Sequence, residues 1–297
     1  MIRRALTPRK AAPYVLIAPA LLILLVFNVI PIFYSIWLAL IKYNVVMPDK
    51  SQFVGLDNFA KLFRDEFLWR NTGNTFIYAV GTLVPGLVLS FIFALLICEP
   101  WFRFQGTTRS LLFIPSIISI AICGLIWSYI FQPDFGILNR ILLFLHLPEQ
   151  KLLGQPKYAM WAVNIMVIWR DLGYRITFWS AGILSISSEY TEAAHIDGAT
   201  WFQELIYVRL PLLRPILVFL SVLGVIGSFQ AFDAIYALTS GGPAGSTEVL
   251  VFYIWKVAFG QNNLGYASAI AWFMFIFLIF FTILQMRIFQ SDSEEIY

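Results

Sequence analysis

The stretch EYTEAAHIDGATWFQELIYVRLP, residues 189–211, decides how the rest of the chain reads. It lies between two strongly apolar segments. Yet it carries Glu189, Glu192, Asp197 and Glu204 against the single Arg209, a net charge of −3. Ser187 or Ser188 can cap a short helix with Glu189 and Glu192 in its first turns, where the helix N-terminus favours acids. Gly198 then turns or breaks the chain, and small Ala193 and Ala194 beside it allow close backbone approach. WFQELIYVRL forms a second amphipathic turn or two, and Pro211 stands where the next apolar run begins. An acidic helical insert is a poor ligand for an anionic lipid surface. Two uses remain for it: a solvated connector, or a knob for a protein partner.

Outside that insert the chain is built for lipid. Of its 297 residues 60% are hydrophobic and 12% charged, with mean hydropathy +0.78. A soluble domain carries about 25% charged residues. Crossing the hydrocarbon takes about 20 apolar residues. Six such spans are read at about 14–40, 76–98, 111–131, 158–186, 212–234 and 266–288. The expectation is an all-α integral membrane fold with six transmembrane helices in a single domain, 1–297, and the polar loop 187–211 between the fourth and fifth spans. STEVLVFYIWKVAF (246–259) is read as an interfacial helix capped by Ser246, because Glu248 and Lys256 leave too short an apolar run. Pro19, Pro31 and Pro115 kink spans, as membrane helices tolerate.

The basic start, Arg3, Arg4, Arg9 and Lys10, resembles a signal-peptide n-region. The apolar run behind it covers Ala11–Ile41, far longer than a signal-peptide core of about 7–15 residues, so an uncleaved first span is expected. With an even span number both termini share one side. Lysines and arginines tie at nine on each side, so the count alone does not orient the chain. The four charges within the first ten residues favour cytoplasmic termini, because the first span usually dominates. The 187–211 loop then faces the cytoplasm.

The fourth span is unusual. YAMWAVNIMVIW (158–169) and ITFWSAGILSI (176–186) flank RDLGYR (170–175). Either apolar half alone reaches only about 16–18 Å at about 1.5 Å per residue, so the two must cross together with the charges near mid-depth. Ionisable groups at that depth are functional candidates. Asp171 and Arg175 stand at i, i+4 and can neutralise each other, leaving Arg170 in excess beside Trp169 and near Tyr174. Either these residues line a polar solute cavity, or they serve structure, by holding a break around Gly173, pairing with a partner subunit or snorkelling to an interface. In the fifth span Ser228, Gln230 and Asp233 bring polarity to membrane depth between Phe229 and Phe232. Gly224 and Gly227 read as helix-packing glycines.

Several chemistries are excluded. Cys98 and Cys123 lie in apolar runs without metal spacing or a disulfide framework. His146 and His195 have no ligand partner at metal spacing. No basic run interleaves with aromatics as nucleic-acid binding would need. No nucleophile–base or metal constellation marks a catalytic residue, and no G-x-x-x-x-G-K-[ST] phosphate loop is present.

The string Glu192-Ala193-Ala194, three residues, Gly198, nine residues, Val208-Arg209-Leu210-Pro211 resembles the EAA loop of bacterial ABC-importer permeases, with Val208 for the pattern's isoleucine. FVGLDNF (53–59), Pro115 with Trp127, Phe131, Gly136 and Asn139, and LTSGGP (238–243) extend the resemblance to the maltose and glycerol-3-phosphate type over most of the chain. It implies a type I ABC-importer permease fold in the bacterial inner membrane. Glu192, Ala193, Ala194, Asp197, Gly198, Leu210 and Pro211 would form the coupling helix that docks on a cytoplasmic ATPase. The implied partners are a second homologous permease in a heterodimer, two ATPase subunits and an extracytoplasmic solute-binding protein. ATP and Mg would sit at the ATPase, with no cofactor on this chain. By the same resemblance the solute path runs past Trp169, Arg170, Asp171, Tyr174, Ser228, Phe229, Gln230, Phe232 and Asp233. A sugar or sugar-like solute is implied, with glycerol 3-phosphate as the alternative. A secondary transporter or channel working without an ATPase is the competing class, and would need ion-coupling carboxylates in several spans; only RDLGYR and Asp233 qualify.

Overall fold

A computed structural model describes residues 8–45 and 47–290, with side chains over 13–45 and 47–288. Arg3 and Arg4 lie outside the described residues. The chain begins with α1 (Pro8–Leu24), a wide π turn (Leu25–Val29) and α2 (Ile30–Ala39), followed by β1 (Ile41–Lys42), β2 (Gln52–Phe53) and α3 (Asp57–Leu62). Then come α4 (Glu66–Cys98), α5 (Gln105–Ile117), α6 (Ile120–Ile130), α7 (Ile137–Phe144) and α8 (Pro156–Ser185). The 187–211 region holds α9 (Ser188–Ile196), α10 (Trp201–Glu204), a second π turn (Leu205–Arg209) and the start of α11 (Leu210–Leu212). The chain closes with α12 (Arg214–Phe229), α13 (Phe232–Leu238), α14 (Leu250–Trp255) and α15 (Leu264–Gln290).

Pro13–Ala39, Glu66–Cys98 and Leu264–Ile288 are each long and apolar enough to cross a bilayer. Two further candidate crossings are bent pairs: Gln105–Ile117 with Ile120–Ile130 at 97°, and Trp201–Leu212 with Arg214–Phe229 at 62°. α8, with 30 residues, carries the RDLGYR charges and is not among these candidate crossings.

The chain divides into two compact units. The first ends at Asp65 and includes Ile254–Phe273. In it the α1–α2 run absorbs Pro31 by widening: the Ile30 N–H reaches back to Leu25 O, one residue further than an α-helix. Proline cannot donate and its ring crowds the carbonyl four residues earlier, so a wide turn just before it relieves the clash. The same device recurs before Pro211, where the Leu210 N–H bonds Leu205 O. β1 pairs antiparallel with β2, Ile41 opposite Phe53. Asn58 Nδ2 donates to Ala39 O at 2.8 Å and to Ile41 O at 3.2 Å, tying α3 to the end of α2.

The second unit comprises Glu66–Tyr253 and the chain from Met274 on. Its spine is α4 packed on α8. At 33 residues α4 is about 50 Å long, well beyond the roughly 30 Å hydrocarbon thickness. Its buried hydroxyls fold back on their own helix: Thr72, Thr75 and Thr82 donate to Leu68 O, Asn71 O and Tyr78 O at 2.7–2.8 Å. Where no water can serve them, this is the local way to satisfy them.

Several expectations are corrected here. There is no break at Gly173: α8 runs through it unbroken. A Cβ at that position would land on the Leu112 carbonyl and the Phe113 backbone of α5, so the glycine serves close helix packing. The expected third span, 111–131, is two helices parted at Ile118–Ser119, both with extended ψ near 135°. The expected fifth span, 212–234, ends as a helix at Phe229, where Gln230 caps it and Ala231 leaves helical geometry before α13 begins. Ser246 caps no helix. Residues before Leu250 are instead held in a turn: Asn74 Nδ2 donates to Gly245 O and Glu248 O, and Arg70 pairs with Glu248 at 3.3 Å.

Candidate functional site

A partly open cavity of about 360 Å³ lies chiefly between three helices of the second unit, with Ile120 of α6 also in its lining. α4 contributes Tyr78 and Thr82, one turn apart, and α8 contributes the face bearing Arg170, Asp171, Tyr174 and Arg175. The third wall is α12 with the break that follows it, from Leu220 through Ser228 to Gln230, and Asp233 of α13. The i, i+3, i+4 spacing of the α8 residues puts them on one stripe, which is how RDLGYR gathers its charges on one wall. The volume lies at the lower end of the roughly 300–1,000 Å³ usual for small-molecule sites.

The charges inside are differently engaged. Arg170 Nη1 lies 3.5 Å from Asp171 Oδ1, and each side chain is about 30% exposed. The partner of Asp171 is therefore its neighbour Arg170, and not Arg175 as the i, i+4 spacing suggested. Arg175 is buried and its Nη1 donates to Thr82 O at 3.1 Å across α4, its guanidinium lying over Gly86. Asp233 is exposed, in the first turn of α13. Two arginines face two aspartates, so the lining is formally neutral. Ser228 Oγ donates to Gly224 O at 2.7 Å, leaving its lone pairs free to accept.

The expected path residues divide. Arg170, Asp171, Tyr174, Ser228, Gln230 and Asp233 line the cavity. Trp169 packs edge-on against Trp127 with centroids 5.6 Å apart. Phe229 is buried against Phe76 and Phe277, and Phe232 stacks on Tyr236 and Phe252. Tyr78 and Thr82 were missed by sequence reasoning. The signal was present: Asn71, Thr75, Tyr78 and Thr82 recur at spacings of four, three and four residues in an otherwise apolar run, a polar stripe along one face. Ser116 of α5 was missed too. Its hydroxyl donates to Arg170 O at 2.8 Å and accepts from the Tyr174 N–H at 3.3 Å, bridging one rung of α8 beside the cavity.

The 187–211 loop is built from standard helix ends. Ser187 caps α9, accepting from the Glu189 N–H. At the other end Gly198 adopts φ +78°, its N–H bonding His195 O while the Ala199 N–H bonds Ala194 O. That is a Schellman stop, which needs a residue at ease in the left-handed region. Thr200 and Gln203 form a reciprocal capping box for α10. Glu192, Ala193, Asp197, Leu210 and Pro211 are exposed and Ala194 half-buried, while Ile196, Phe202 and Tyr207 project apolar side chains outward. Behind this face Glu204 is 1% exposed and accepts from Arg209 Nε at 2.7 Å, with His195 Nε2 at 3.5 Å. Arg209 Nη1 also reaches Glu99 at 3.2 Å, just past the end of α4.

Several helices long and apolar enough to cross a bilayer, in a chain whose α4 and α8 line a polar cavity, fit a polytopic membrane component. The chain belongs to the family described as binding-protein-dependent transport system inner membrane components, whose sequence profile matches residues 69–292. It is 32% identical over 292 residues to the probable ABC transporter permease protein YurN of Bacillus subtilis, covering 96% of this chain and 98% of that one. It is 29% identical to the arabinooligosaccharides transport system permease protein AraP of the same organism, covering 97% and 91%. The sn-glycerol-3-phosphate transport system permease protein UgpA of Shigella flexneri is 30% identical, with 94% of each chain covered. In structure the chain matches a crystallised bacterial ABC transporter involved in import of the acidic polysaccharide alginate, with TM-score 0.83, 23% identity and 95% and 96% coverage. A crystallised bacterial alginate ABC transporter in complex with alginate pentasaccharide-bound periplasmic protein matches with the same TM-score, 0.83. The fold is that of a type I ABC-importer permease.

Proposed function

We propose that this chain is a transmembrane subunit of an ATP-driven importer that carries a neutral sugar or sugar-like solute into the cytoplasm. The observation that carries the substrate class is the charge balance of the cavity, Arg170 and Arg175 against Asp171 and Asp233. A net-cationic lining would suit a phosphate; a neutral lining of balanced charges, hydroxyls and two tyrosines suits the hydroxyls and C–H faces of a sugar ring. Arg175 is already committed to Thr82 O, which leaves the partly exposed Arg170–Asp171 pair, Ser228, Gln230 and Asp233 to exchange hydrogen bonds with the solute.

The 187–211 loop is the coupling element of this reading. Its exposed Glu192 and Asp197 and its apolar Ile196, Phe202 and Tyr207 offer a mixed face to an ATPase groove, and the Gly198 stop fixes the angle between α9 and α10. With that loop cytoplasmic, both termini are cytoplasmic as well. ATP and Mg are held by two ATPase subunits, a second homologous permease completes the path, and a solute-binding protein delivers the solute from the other side. Closure of the ATPase pair then moves the loops and exposes the cavity to alternate faces.

Uptake by cells with and without this chain tests the proposal, using labelled neutral sugars, a sugar-type osmolyte and glycerol 3-phosphate. Loss confined to a neutral solute is the expected result. Loss of glycerol 3-phosphate uptake alone, in keeping with the name of the Shigella relative, would overturn the neutral assignment and make Arg170 an anion ligand.

A further inference from the structure

Of the three main cavity walls, α4, α8 and α12, only two are continuous with the 187–211 loop: α8 enters it through Ile186–Ser187, and α12 leaves it at Arg214. α4 carries Tyr78 and Thr82 but is remote in sequence, Glu99 lying 110 residues from Arg209. At its end stands Glu99, whose Oε1 accepts from Arg209 Nη1 at 3.2 Å and from Trp201 Nε1 at 3.3 Å. Arg209 is in turn fixed by Glu204, a carboxylate 1% exposed. An arginine held between two carboxylates, with 18% of its own side chain exposed, is a rigid joint.

We infer that Glu99, Arg209 and Glu204 form a brace that makes α4 move with the coupling loop, so that all three cavity walls respond to the ATPase together. The inference rests on the reading of that loop as the ATPase-coupling element. From Cys98 back to Thr82 is about 24 Å of helix, running on through Pro85, and it joins Glu99 to the cavity wall. Glu99 and Arg209 are positioning residues in this scheme: they touch neither solute nor, in the case of Glu99, the docking face.

The test is the complete transporter in proteoliposomes, measuring solute taken up per ATP hydrolysed, alongside copurification of the ATPase. Glu99→Leu removes the acceptor for both Arg209 and Trp201; Glu99→Gln keeps its shape and one acceptor oxygen. The expected result is full ATPase copurification and continued hydrolysis in both variants. Uptake per ATP should fall about fivefold or more in Glu99→Leu, with Glu99→Gln restoring part of it. An unchanged ratio in Glu99→Leu overturns the brace. So does loss of ATPase copurification in Glu99→Leu alone, which would make Glu99 a determinant of docking. Failure of the unaltered chain to copurify with any ATPase would instead sink the coupling reading on which the brace depends.

Discussion

The cavity and the coupling loop each gather arginines and carboxylates, and they use them in opposite ways. In the loop the charges are spent on one another: Arg209 sits between Glu204 and Glu99, and the cluster is turned inward. What the loop shows outside is Glu192, Asp197 and apolar side chains. In the cavity the Arg170–Asp171 pair is long at 3.5 Å and about a third exposed, and Asp233 is exposed in the lining. A charge closed off by short, buried partners builds a joint. A charge left with a long, wet partner remains available to a ligand. Arg175 is the exception on the cavity side, because it is bound to backbone and behaves like the loop's arginine.

That exception gives the largest expected effect. Arg175→Leu strips Thr82 O of a charged donor and should cost about 1.5–3 kcal/mol of stability. Uptake is lost as well, and the shift in thermal unfolding of the detergent-solubilised complex is the check. A normal unfolding midpoint would return Arg175 to the ligand-binding class. Next comes Gly198→Val. The left-handed φ of +78° costs an L-residue roughly 1–2 kcal/mol and more when it is β-branched. The α9–α10 angle should therefore relax, with ATPase copurification weakened while solute affinity in the cavity is unchanged. If copurification is unaffected, the loop's shape is not what the ATPase reads. The smallest effect is expected of Thr200→Ala, which removes half of the capping box and should cost about 1 kcal/mol, fraying α10 without touching the Glu204–Arg209 pair. Amide exchange at Trp201–Gln203 measures it directly.

How much of this was legible in the sequence follows from the kind of signal each feature leaves. Helical passes announce themselves through hydropathy, because water-free crossing demands long apolar runs. The Gly198 stop and Ser187 cap were equally readable, since end geometry restricts residue type at single positions. The breaks after Ile117 and Phe229 were not, because hydropathy is blind to a short departure from helical geometry inside an apolar run. Periodicity also names a face without naming its neighbour. Trp169, Phe229 and Phe232 share segments with cavity residues yet point into aromatic packing, while the polar stripe of α4 points at α8. The partner of Asp171 was misjudged for a related reason: spacing permits a pair with Arg175, but a carbonyl on another helix competes for that guanidinium.

Ser116 has a consequence for how the molecule can change shape. Its hydroxyl occupies a rung of α8, so sliding α5 along α8 would cost Ser116 both of its hydrogen bonds, the one to Arg170 O and the one from the Tyr174 N–H. Backbone contact at Gly173 blocks the same motion sterically. These two helices are therefore expected to travel as one plank. The freedom to bend lies beyond it, at the two extended residues Ile118 and Ser119, where the chain already turns through 97°.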